Sequence, residues 1–162
     1  MDELIEVLRH ERALLEELVY RLAAQLGILL TGQAKYLTRA SQEVDELTER
    51  IRRSEAERAR CVARLAEASG IPAGEVTLGR LVAFAPEPHR STLAGLQHDF
   101  IVLTDEIERT GSRNRAAVHQ ALQEFRSLIG DQLGRPAPEL TVYTPTAELR
   151  STTASTGIEG RL

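Results

Sequence analysis

The segment 107-IERTGSRNR-115 lies between two apolar, helix-like runs, yet it carries a glycine, two hydroxyl side chains and an asparagine. If it is a loop, the chain turns back here; if it is helical, one rod runs straight through. The flanking residues decide. Leu93, Leu96, Phe100, Leu103 and Ile107 precede it, and Ala117, Ala121, Phe125 and Leu128 follow, again at steps of three or four, with Thr110 and Asn114 on the intervening seam positions. A heptad that holds its register across a polar stretch predicts one continuous helix with an inset formed by Thr110, Arg113 and Asn114. Gly111 costs such a helix about 1 kcal/mol relative to alanine, which the flanking apolar turns outweigh. An asparagine in a seam lowers stability but penalises wrong pairings, because only the intended register gives its amide a partner.

Working outward, Pro86 and Pro88 close whatever precedes this rod, and Ser91 or Thr92 is placed to open it. Two further long amphipathic segments lie upstream. In the first, Leu4, Leu8, Leu15, Leu18, Leu22, Leu26 and Leu29 form one stripe, interrupted where Glu11 occupies it. Thr31-Gly32-Gln33 breaks the pattern, with Gly32 suited to left-handed backbone after a helix end. The second runs from Ala34 to Ser69, with the seam Leu37, Ala40, Val44, Leu47, Ile51, Ser54, Arg58, Cys61, Leu65 and Ala68. At about 1.5 Å per residue it would span roughly 54 Å, too long for a compact globule. Gly70-Ile71-Pro72 stops it. Between there and Pro88, the cluster Val76, Leu78, Leu81, Val82 and Phe84, with Thr77 as N-cap, predicts a short helix.

The expected fold is therefore all-α: an elongated antiparallel bundle or coiled coil of three long helices plus one short one. Residues 1–134 form the helical domain. In residues 135–162 the prolines Pro136, Pro138 and Pro145 oppose helix and Ser151–Thr156 is nearly all Ser and Thr, so a mobile tail is expected. Within it, Leu140, Val142, Tyr143 and Leu149 make an apolar island, able to pair locally with the bundle or to dock when a partner is present. The closing GIEGRL resembles a protease site of expression vectors and receives no functional weight.

Composition narrows the function. The 162 residues contain no Trp and carry a net charge of -4, which gives no whole-chain electrostatic footprint for nucleic acid or an anionic membrane. Cys61 is the only cysteine, so no internal disulfide can form, and the acidic start with spaced apolar residues is unlike a signal peptide. A cytoplasmic setting fits, without stable membrane insertion, since no run approaches the roughly 20 apolar residues of a span. His10, His89, His98 and His119 lack the spacing that sets ligands on one helix face, so no metal or cofactor is expected. Asp99, Asp105, Glu106 and Glu108 read as a solvated face rather than an acid–base pair, which would need an enclosed cleft. Arg50, Arg52, Arg53, Arg58, Arg60 and Arg64 are interleaved with glutamates, predicting i,i+4 pairs Glu46–Arg50 and Glu49–Arg53 rather than a nucleic-acid stripe. Cys61, in a seam, reads as packing.

Three local signatures carry a family resemblance that runs from about Leu15 to Tyr143. They are LTGQAKYLTRASQEVDELTERIRRSEAERAR, a Gly turn leading into a long charged helix; SGIPAGEVTLGRLV; and RNRAAV at Arg113–Val118, followed downstream by TVYTP. In this order and spacing the chain resembles the FlgN-type flagellar export chaperones. The resemblance implies a non-catalytic cytoplasmic chaperone for the hook-associated proteins of the hook–filament junction, which prevents their premature assembly and delivers them through a transient contact with the export gate. Position in the sequence points to Phe125, Leu128 and Ile129, with the island Leu140, Val142, Tyr143 and Leu149, as the client-docking surface. The same heptads also suit a coiled-coil scaffold or homo-oligomer.

Overall fold

The computed structural model describes residues 1–70 and 72–133, and its regular elements are all helical. Helix α1 spans Asp2–Leu30, α2 Leu37–Ser69, α3 Leu78–Phe84 and α4 His89–Leu133, with single 3-10 turns at Ala34–Tyr36 and Ala73–Glu75. The polar stretch around Gly111 lies inside α4 without a break. The expected tail, with Leu140, Val142, Tyr143 and Leu149, lies outside the described residues.

Glycine sets both long turns. Gly32, at φ 67°, follows α1, and Gly70, at φ 65°, caps α2, each in left-handed backbone that a side chain would strain. Thr77 caps α3 by accepting from the Arg80 backbone N–H at 3.3 Å. Two helix starts differ from the sequence expectation. The second rod becomes α-helical at Leu37, because Ala34–Tyr36 winds more tightly as a 3-10 turn on leaving Gly32. Helix α4 starts at His89, ahead of Ser91 and Thr92. Both hydroxyls lie within its first turn and donate back to the Pro88 carbonyl, at 2.9 and 3.3 Å. The capping bond comes from Glu87 instead, whose carboxylate accepts from the Ser91 backbone N–H at 3.3 Å.

Side-chain links fix the topology. Arg64–Glu3, Arg58–Glu11, Arg50–Glu17 and Arg21–Glu43 tie α1 to α2 in antiparallel order. His89–Asp2 and Arg12–Asp99 tie α1 to α4 in parallel order. The long helices therefore run up, down and up. Helix α1 is the centre: it packs against both α2 and α4, whereas no Cα of α2 comes within 8 Å of α4 among the described residues. Helix α3 folds back along the start of α4, where Leu78, Leu81 and Val82 pack on the core.

The core has two apolar clusters separated by a polar level. Leu4, Ile5, Leu8, Cys61, Ala85, Leu93 and Leu96 form the first; Leu14, Leu18, Leu47 and Ile51 form the second, with Leu22 and Ile107 packed against it. Glu11 lies between them, 6% exposed, and accepts from Arg58 Nε at 2.9 Å. Cys61 is buried in the first cluster, as packing requires.

Candidate functional site

The heptad seam of α4 is continuous in sequence but not in burial. Leu93, Leu96 and Leu103 are buried, Phe100, Ile107, Thr110 and Ala117 are half-buried, and Asn114 is 6% exposed. Beyond Ala117 the same seam opens: Ala121 is exposed, Phe125 is 53% exposed and Leu128 61% exposed. Geometry explains the change. Bonds from α1 to α4 join residues 87 to 92 positions apart, so Leu30, the last residue of α1, is level with residues 117–122 of α4. The last 11 to 16 residues of α4 thus run on past the end of α1, roughly 17–24 Å of helix at 1.5 Å per residue. Their inward face has lost its partner.

The last tie before this overhang is polar. Asn114 Nδ2 donates to the Leu22 carbonyl and to Gln25 Oε1 of α1, both at 3.0 Å. Gln25 Nε2 in turn donates to Ser41 Oγ of α2 at 3.0 Å. This relay of one buried and two half-buried side chains joins the three long helices at one level, and a shift of α4 by one position would break both Asn114 bonds while leaving Gln25 only its bond to Ser41. Asn114 Oδ1 and Ser54 Oγ are buried without a hydrogen-bond partner among the described residues.

Of the residues singled out in the sequence, Thr110 and Asn114 lie in the seam, while Arg113 is exposed and takes no part in it. Phe125 and Leu128 share the uncovered strip with the half-buried Leu122 and Ile129. Leu140, Val142, Tyr143 and Leu149 lie outside the described residues. Leu122 was legible as a candidate, three positions before Phe125 and seven before Ile129 on one face, but a strict heptad reading passes over it.

The charged faces are mostly self-paired, though not in the pairs expected. Arg50 crosses to Glu17 of α1 at 3.2 Å, and Glu49 pairs with Arg52, in place of Glu46–Arg50 and Glu49–Arg53. For Arg50 a carboxylate on the neighbouring helix lies nearer than the one a turn away, whereas Glu49 takes the i,i+3 partner of its own helix. Asp99, expected on a solvated face, is half-buried and accepts from Arg12 at 3.1 Å. Burial pushes the Glu11 carboxyl above its ordinary value, with Arg58 pulling the other way. The hydrogen bond and charge of His89 hold Asp2 below its own. Among the described residues, no group of three His, Cys, Asp or Glu side chains is placed to hold a metal, and no helix is long and apolar enough to cross a membrane.

A family model described as "FlgN protein" matches residues 1–151, most of the chain. Neither curated proteins nor solved structures gave a match.

Proposed function

Because the chain belongs to the FlgN family, a family of flagellar export chaperones, we propose that it holds the hook-associated proteins in the cytoplasm and releases them at the export gate. The carrying observation is the α4 seam left uncovered at Phe125 and Leu128. A helix whose apolar stripe runs past its own bundle offers a groove side to an amphipathic client helix, read through anchors at i, i+3, i+4 and i+7. Covering that client segment keeps it from associating with its own kind before export. It also defers the ordering entropy of the free client until assembly.

In this reading Phe125, Leu128 and Ile129 form one side of the docking surface and Leu140, Val142, Tyr143 and Leu149 the other. Residues 1–134 are the rigid domain that presents them, and residues 135–162 the adaptable segment. The role is binding, without catalysis or cofactor. Client pull-down with each purified hook-associated protein tests it. Full chain captures them; removal of residues 135–162, or the pair Phe125→Asp and Leu128→Asp, abolishes capture while helicity by circular dichroism is retained. Undiminished capture by both altered chains rejects the surface.

A further inference from the structure

We propose that the docked client helix continues α1: it lies along the overhang of α4 on the line that α1 vacates at Leu30, runs parallel to α4, and sets its N-terminus on the turn between α1 and α2. The inference rests on the chaperone reading and deepens it, adding the length, direction and chemistry of the helix that the strip receives.

The surface has a floor as well as a wall. Leu122, Phe125, Leu128 and Ile129 form the wall, beyond the end of α1. Leu30, 68% exposed, ends α1, and Tyr36, 47% exposed, stands just before α2. Gln25 donates to Ser41 across this antiparallel pair, so five residues on from Gln25 and five back from Ser41 bring Leu30 and Tyr36 to one level. That level meets α4 at residues 117–122. Two large apolar side chains therefore top the short part of the bundle at the foot of the wall. A wall alone would accept a helix at any height; a floor stops one end of it. Above the floor α4 offers 11 to 16 residues, room for about three to four helical turns.

Electrostatics and packing set the direction. The C-terminus of α1 is the negative end of its dipole, with no basic residue in its last turn. Lys35, in the turn that follows, lies over the Tyr36 ring at 4.8 Å. A helix parallel to α4 brings its positive N-terminal end to this point, whereas an antiparallel one brings a second negative end. The α4 seam already packs against a parallel helix from Leu93 to Asn114, and a parallel client carries the same ridge-and-groove fit on to Leu128. The wall carries no charge, so the client stripe that meets it carries none either, since an ion there would lose water without gaining a partner. The occupant is thus an amphipathic helix with an uncharged apolar stripe.

A second copy of α4 suits the site poorly. Paired about Phe125 by a two-fold axis it would run antiparallel, aiming its negative C-terminal end at that of α1. The positions flanking Phe125 would meet their own copies, Glu124 beside Glu124 and Arg126 beside Arg126, like charges along both edges.

Photocross-linking of the full chain to each purified hook-associated protein tests the arrangement. Tyr36→benzoylphenylalanine probes the floor, Leu128→benzoylphenylalanine the wall, and Tyr20→benzoylphenylalanine, at a side chain 67% exposed on α1, is the control. All three replace exposed side chains, so the bundle is kept. Tyr36 and Leu128 are expected to label one client segment, the Leu128 mark about 6 to 11 residues C-terminal to the Tyr36 mark, while Tyr20 leaves that segment unlabelled. The reverse order of marks, a floor that labels no better than Tyr20, or Leu128 cross-links found only between two copies of the chain overturn the proposal. Pull-down with the unaltered chain separates the two readings. Capture lost there overturns the chaperone reading and this inference together; capture retained with any of the three adverse results overturns the inference alone.

Discussion

Arg58 of α2 donates through Nε to Glu11 of α1 at 2.9 Å, so the one charged position of each leucine seam is filled by the partner of the other. The pair is asymmetric: the Glu11 side chain is 7% exposed and that of Arg58 42%. Removing the arginine strands a buried carboxylate, whereas removing both leaves a site that leucines can fill. Arg58→Ala is expected to cost about 2–3 kcal/mol in urea unfolding, below the range for a fully buried pair because Arg58 is partly solvated. Glu11→Leu with Arg58→Leu is expected to match or exceed the parent.

The same carboxyl gives stability a pH signature. Burial raises the Glu11 pKa above 4.5 in the folded chain, so folding favours its protonated form. Its ionised form is a handicap at neutral pH that fades as pH falls through the raised value towards 4.5. Asp2 behaves in the opposite sense: its pKa is lowered below 3.8 by His89, and the stability it contributes above 3.8 is lost as pH falls through the depressed value. Urea midpoints of the parent and Glu11→Gln, compared from pH 7 to 4.5, isolate the first effect. The parent is expected to gain steadily on the variant as pH falls; a gap constant over that range contradicts the assignment.

Periodicity carried most of this fold, because each long helix keeps its seam in register through polar positions such as Glu11, Arg58 and Asn114, and period is what a single sequence displays best. It could not reveal how the helices slide along each other. The 87-residue offset between α1 and α4 is set by cross-helix pairs such as His89–Asp2 and Arg12–Asp99, whose members carry no mark of each other in sequence. The overhang follows from that offset, so Phe125 and Leu128 were legible as seam residues while their loss of cover was not. Asn114 was legible as a register device. Its acceptor Gln25 was not, since it lies beside the Leu26 stripe position and reads as an ordinary surface amide.

Two glycines with opposite backbones separate helix propensity from turn geometry. Gly111 is helical, and a Cβ there meets only the flexible end of Arg115, at 3.6 Å. Gly70 has open space around it but sits at φ 65°. Gly111→Ala is expected to stabilise by about 0.5–1 kcal/mol, by helix propensity and a restricted unfolded chain. Gly70→Ala is expected to destabilise by about 1 kcal/mol, by forcing a side chain into left-handed backbone. Thermal melts of the two single variants should move in opposite directions.

Leu93 and Leu128 occupy equivalent positions of one heptad, 0% and 61% exposed at the two ends of α4. A sequence pattern treats them alike; burial does not. Leu93 fills the first core cluster beside Leu4 and Leu8, so Leu93→Ala removes packed methyl groups and is expected to cost about 2–5 kcal/mol. Leu128→Ala removes atoms already in contact with water and is expected to change stability by less than about 0.5 kcal/mol. Client capture should show the reverse order. Leu93→Ala, assayed well below its melting temperature, keeps the overhang and retains capture, whereas Leu128→Ala loses an anchor at unchanged stability. If Leu128→Ala were as destabilising as Leu93→Ala, the end of α4 would be packed rather than uncovered, and no strip would remain for a client.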